Sequence, residues 1–164
     1  MTSLPFSEGT VEEQWAAARP DLDTSPMEVI GPIRHAHALL NAALEPMYET
    51  APLGSAELDV LIRLRHTKEP VIARRLALLL GVSRAAVSKT LAKLERRGYI
   101  RREPNPADRR AARITVTETG AAAVDDLFPR QLAVEAQLLE GLGEDRTKVI
   151  EALRTLTEVL DRAR

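Results

Sequence analysis

The sequence predicts a mainly α-helical fold carrying one short antiparallel hairpin, on three observations. Aromatic residues are only 3% of the 164 positions while apolar residues reach 45%, so the core falls to Leu, Ala, Val and Ile, which favours helices. Apolar side chains recur three and four residues apart along most of the chain. One stretch breaks that period: Tyr99 to Arg102, the turn-rich Pro104-Asn105-Pro106-Ala107-Asp108, then Arg113 to Val116 with alternating side chains, the pattern of a hairpin. At this length one domain, or one domain with helical extensions, is expected. The 29% of charged residues beside that apolar content suits a folded rather than a disordered chain.

Residues 1–9 have no period, with Pro5 and Gly9 as breakers. Thr10 followed by Val11-Glu12-Glu13 has the form of a capping box opening a short helix to about Ala18, which carries Trp15, the single tryptophan. Arg19 to Asp23 is a connector, because proline disfavours helix in the residue before it. Ser25 is expected to cap a long helix to about Glu49, with Pro26 at its first position and Glu28 in its first turn. Ser55 is expected to cap the next, to about Arg65, packed through Leu58, Leu61, Ile62 and Leu64. After the hairpin, Thr117 caps a helix from Glu118 to about Leu142, bent or interrupted at Pro129. Gly141 and Gly143 end it, and a last helix, Glu144 to Ala163, has Val149, Leu153, Leu156, Val159 and Leu160 on one stripe.

Between these flanks, Ile72 to Leu80 reads as a helix stopped by Gly81, and Ser83 restarts a second one ending near Arg97 and Gly98. Val87, Leu91 and Leu94 form the buried face of the second helix, and Arg84, Ser88, Lys89, Lys93 and Arg96 its other side, with side chains suited to phosphates and base edges. Ala77 falls where the helices cross, Gly81 supplies the tight turn and Val87 packs one helix on the other. That is the helix-turn-helix pattern, and the hairpin adds a two-stranded wing.

Net charge is −1, but from Arg74 to Arg113 twelve basic residues face three acidic ones, a local +9 that leaves −10 for the remainder. A basic centre in an acidic frame draws a polyanion onto one face, so double-stranded DNA is the expected partner. A winged-helix module that binds protein without reading DNA is the alternative, and the local charge speaks against it. No enzyme is expected: no Ser-His-Asp order and no Gly-rich phosphate loop can be placed. The absence of cysteine removes disulfides, thiolate nucleophiles and Cys-ligated zinc. His35 and His37, two apart on a helix and about 200° around its axis, cannot chelate one ion together, so no metal is expected from one chain, a site shared across a dimer staying open; no cofactor is expected. With no apolar run near the roughly 20 residues of a membrane span, and no signal peptide, the expected location is cytoplasmic.

With Asp108-Arg109-Arg110 at the wing tip and Arg113-Ile-Thr-Val-Thr-Glu-Thr-Gly120 behind it, the chain resembles the MarR family of transcriptional regulators. The resemblance covers nearly the whole chain and implies a single domain over 1–164: an extra helix and a dimerisation helix in 1–54, the winged DNA-binding unit in 55–117 and C-terminal dimerisation helices in 118–164. The terminal helices cannot bury their stripes on the small winged unit. A homodimer would bury them, placing two reading helices about 34 Å apart over a pseudo-palindromic site; an intramolecular bundle is the other solution. Docking of this kind puts Ser83, Arg84 and Ala85 at base edges and Ser88, Lys89 and Lys93 at phosphates or groove edges. The family's minor-groove arginine falls on Arg110, oriented by Asp108, with Arg109 and Arg113 on phosphates.

Trp15, Arg19 to Asp23 and Ser25-Pro26-Met27 are similar to the urate-responsive PecS branch of that family. That branch's ligand residues fall on Trp15, Asp59 and Arg102, and its reading-helix arginine on Thr90. The implied effector is a small molecule, urate-like or an aromatic anion. Without the arginine one charge-assisted contact of about 1.5–3 kcal/mol is missing, so a different ligand or none stays open. So do simpler roles: an ion pair of Asp59 with Arg102 or Arg63, and core packing for Trp15.

Overall fold

The computed structural model describes residues 10–67, 71–104 and 112–163. They form seven helices and one hairpin, divided into two compact units at Ala43 and Leu44.

The first unit holds α1 (Val11–Ala18) and most of α2 (Pro26–Glu49). The capping box at α1 is complete: Glu13 N–H donates to Thr10 Oγ1 at 3.2 Å and Thr10 N–H to Glu13 Oε2 at 2.6 Å. In the connector Arg19 grips Asp21 through two hydrogen bonds of 2.8 and 2.6 Å. Trp15 is half-exposed on α1.

The second unit contains α3 (Ser55–Arg65), α4 (Ala73–Leu80), α5 (Arg84–Arg96), β1 (Ile100–Pro104), β2 (Ala112–Val116), α6 (Glu118–Leu139), a 3₁₀ segment Glu140–Asp145 and α7 (Arg146–Arg162). Its core is aliphatic, as the composition requires: Leu58 and Leu61 of α3, Leu76 of α4, Leu91 and Leu94 of α5 and Leu127 of α6 are all essentially inaccessible. β1 and β2 pair antiparallel with Arg102 opposite Ile114 and Glu103 opposite Arg113. Ile114 N–H also donates to Val71 O at 3.2 Å, so the wing is stitched to the residue leading into α4.

Several boundaries differ from the expected ones. The cap of α3 is Gly54, not Ser55: Gly54 N–H donates to the Glu57 carboxylate at 3.0 Å, a partner that lets glycine stand at the cap. Pro104 lies in β1 rather than in the turn, at the edge position where a missing N–H is tolerated. α6 runs unbroken through Pro129 and gives way to the 3₁₀ segment after Leu139, and α7 starts at Arg146 after Gly143 turns the chain with φ 46°.

Candidate DNA interface

Local chemistry sets the angle between α4 and α5. Gly81 takes the left-handed conformation (φ 65°) that a side chain would oppose, and Val82 N–H closes on Ala77 O at 3.1 Å. Ser83 then caps α5, its hydroxyl accepting from Ala86 N–H at 3.1 Å. Val87, Leu91 and Leu94 are buried on one side of α5, and Ala77 is buried on α4. The opposite side of α5, with Arg84, Ala85, Ser88 and Lys89, is exposed.

The basic residues of this unit sort into two sets. The first is engaged with carboxylates. Lys93, on the side of α5 suited to phosphates and base edges, donates to Glu57 Oε2 at 2.8 Å, because a carboxylate only 3% exposed needs a counter-charge. Arg97 donates to the other Glu57 oxygen at 2.9 Å, reaches Pro52 O, and lies 5.0 Å above the Tyr99 ring. Arg102 Nε stands 3.1 Å from Glu95 Oε2, although its Nε and Nη2, like Arg113 Nε, are buried atoms without a hydrogen bond. The second set, Arg74, Arg75, Arg84, Lys89 and Arg96, has no carboxylate partner among the described residues. The C-terminal end of α5 is thus tied to the body through Lys93 and Arg97, and its N-terminal half presents Arg84 and Lys89, which have no carboxylate partner among the described residues.

Behind α5 the chain is tied again. Thr117 Oγ1 donates to Gly98 O at 2.6 Å, Thr117 N–H to Tyr99 O at 3.1 Å, and the same hydroxyl accepts from Gly120 N–H at 3.1 Å as the cap of α6. The wing strands therefore leave and re-enter the body at one point. Asp108, Arg109 and Arg110 at the tip lie outside the described residues.

A family model described as the MarR family matches residues 52–111, from just before α3 to the residue preceding β2. An HTH-type transcriptional regulator of Bacillus cereus is 34% identical over 104 residues, 63% of this chain and 68% of that protein. The chain belongs to the MarR family. The transcriptional regulator PecS of Dickeya dadantii is 29% identical over 145 residues, 87% of each chain. The crystal structure of a MarR/EmrR family regulator from Acinetobacter sp. ADP1 superposes with a TM-score of 0.72 at 22% identity, over 86% of this chain and 99% of that one, which concerns the fold. This MarR-family chain is accordingly a winged helix-turn-helix, DNA-binding transcriptional regulator. No helix among the described residues is long and apolar enough to cross a membrane.

Two of the four ligand residues suggested by sequence meet in this MarR-family unit. Asp59 of α3 and Thr90 of α5 line a cavity of about 100 Å³ with Val60, Leu80, Val82 and Val87. Thr90 Oγ1 donates to Ala86 O at 3.1 Å. Asp59 keeps an exposed edge, yet burial raises its carboxyl above the usual range; Arg63 opposes this and Glu135 of α6 adds to it. The Tyr48 phenol is raised as well, first by burial, with Asp59 and Glu135 adding and Ser55 opposing. Arg102 is not in the wall of that cavity, and Trp15 belongs to the N-terminal unit. The sequence alone does not reveal Glu57 or its pairing with Lys93 and Arg97. The available signal was its place three residues after Gly54, where a carboxylate caps a helix.

Proposed function

We propose that this regulator binds a pseudo-palindromic operator as a homodimer, represses the adjoining promoter, and leaves the DNA when a small molecule binds. One observation carries the operator half: α5 is held at its C-terminal end by Glu57 while Arg84 and Lys89 are exposed and free of carboxylates. In this reading Ser83, Arg84 and Ala85 meet base edges, Arg84 as a bidentate donor to guanine. Ser88 and Lys89 serve phosphates, Arg110 enters the minor groove beside Asp108, and Arg109 and Arg113 hold the flanking backbone. Lys93 acts through its ion pair, positioning α5.

Dimerisation is supported by α7, which buries no residue and leaves Ile150, Leu153 and Leu160 about half-exposed. Such a stripe is stable in water only against a partner surface. The effector reading rests on the Asp59 and Thr90 cavity, sized for a small urate-like or aromatic anion, and on the resemblance that counts Arg102, whose Nε and Nη2 lack hydrogen-bond partners, among the ligand residues. Such a ligand releases the operator by favouring a non-binding spacing of the two reading helices.

Mobility shift of purified protein on its own upstream intergenic DNA, with scrambled competitor and varied salt, tests this. Retention against competitor is expected, and adding urate to the same assay tests it as the effector. Equal, salt-sensitive retention of both duplexes removes the operator reading, no release by urate removes urate as effector, and no retention at all favours a protein-binding module.

A further inference from the structure

The outer side of the turn between α4 and α5 holds a groove of about 440 Å³ whose rims are Arg74 and Arg84. Its floor is apolar: Leu78 is 67% exposed and Val82 46% exposed. Two guanidinium groups that have no carboxylate partner among the described residues thus flank two exposed aliphatic side chains. Arg74 comes from the first helix of the motif and Arg84 from the first turn of the second, beside the Ser83 cap.

We propose that this groove seats one sugar-phosphate of the duplex backbone, with Arg74 as the residue that positions α5 over its bases. The chemistry of the site matches that occupant on both counts. A phosphate carries the negative charge that balances the two arginines, and two of its oxygens match the planar fork of a guanidinium. The deoxyribose carbons cover Leu78 and Val82, which water otherwise meets. In helix-turn-helix docking the first helix crosses the backbone while the second enters the groove, so a phosphate held between the two fixes how deeply α5 enters. Arg75, the next residue on α4, is equally free but is not in the wall of the groove. The inference rests on the DNA-docking reading of α5 given above.

The test is ethylation interference and mobility shift on the retained duplex with Arg74→Ala, Arg74→Lys and Arg75→Ala. In the wild type, the phosphate seated in this groove should be among those whose ethylation blocks binding in each half-site. Arg74→Ala should tolerate that ethylation, bind every duplex about tenfold or more weakly, the loss of a charge-assisted contact, and flatten the salt dependence by about 0.9 per phosphate lost. Arg74→Lys should recover the salt dependence, and Arg75→Ala should leave the interference pattern as in the wild type. An unchanged pattern in Arg74→Ala, or equal losses in Arg74→Ala and Arg75→Ala, overturns the proposal while leaving α5 as the reader of bases. A wild type that retains no duplex overturns both.

Discussion

The Glu57 carboxylate, buried at the start of α3, lies 2.8 Å from the Lys93 ammonium on α5. Because Arg97 takes the other oxygen at 2.9 Å, one acidic side chain fastens the end of the reading helix to the body. Glu57→Gln keeps the shape and removes the charge, leaving two cations short of a partner. Both keep some access to water, which softens the loss, so about 1–2 kcal/mol of stability should go, toward the low end for hydrogen bonds to charged groups. Denaturant unfolding of the two proteins measures it.

The same carboxylate gives an acid limb to the stability curve. Burial pushes its pKa up, but Lys93, the Gly54 N–H and Arg97 together hold it below the usual carboxylate range. A depressed folded pKa contributes stability above the unfolded value and loses it as pH falls through the folded one. The gap between wild type and Glu57→Gln should therefore be full at neutral pH and close below about pH 4. Unfolding midpoints at stepped pH would show a constant gap if Glu57 did not titrate this way.

Gly120 has no room for a side chain. A Cβ there would sit 2.0 Å from Tyr99 O and 2.9 Å from Val116 Cγ1. Replacing a helical glycine by alanine ordinarily gains about 0.5–1 kcal/mol, but here backbone must move, at about 1–3 kcal/mol for overpacking. Gly120→Ala should lower the melting temperature; a rise would show that α6 shifts freely against the end of α5.

Much of this was legible in the sequence because local chemistry decided it. Thr10 with Glu13, Gly81 with Ser83, and the stripe Val87, Leu91 and Leu94 each act within one or two turns, and each lies where the spacing put it. What depended on distant partners was not legible. Lys93 looks like any cation on an exposed face until Glu57, 36 residues earlier, is brought beside it by folding. Arg102 and Asp59 are two of the ligand residues that the family resemblance suggests, yet Arg102 lies against Glu95 and Asp59 is coupled to Arg63 and Glu135. The groove at Arg74 escaped because its two arginines are ten positions apart on different helices.

If Arg84 reads a base while Arg110 enters the minor groove without selecting among sequences, their removal should separate. Arg84→Ala should bring operator and scrambled duplex closer in affinity by about 1–3 kcal/mol. Arg110→Ala should weaken both alike and reduce the salt slope. Competition binding at two salt concentrations distinguishes them, and identical profiles would remove Arg84 as the base reader.

Asp59 offers the opposite sign to Glu57. Burial raises its carboxyl, Glu135 adds to the rise and Arg63 only partly offsets it. For an acid with a raised folded pKa the folded state binds the proton more tightly, so stability falls as pH rises from the unfolded to the folded value. Above that window the ionised Asp59 is a standing strain on the cavity it shares with Thr90. Asp59→Asn should consequently be the more stable protein at neutral pH, and its advantage should disappear on acidification below about pH 4, where the native carboxyl is protonated too. Thermal melts of both proteins across that range decide it: a neutral-pH loss of stability in Asp59→Asn would mean that the contact with Arg63 outweighs burial. The same variant also bears on the effector. A ligand held through the Asp59 carboxylate should no longer raise the melting temperature of Asp59→Asn, whereas a ligand bound elsewhere should stabilise both proteins alike.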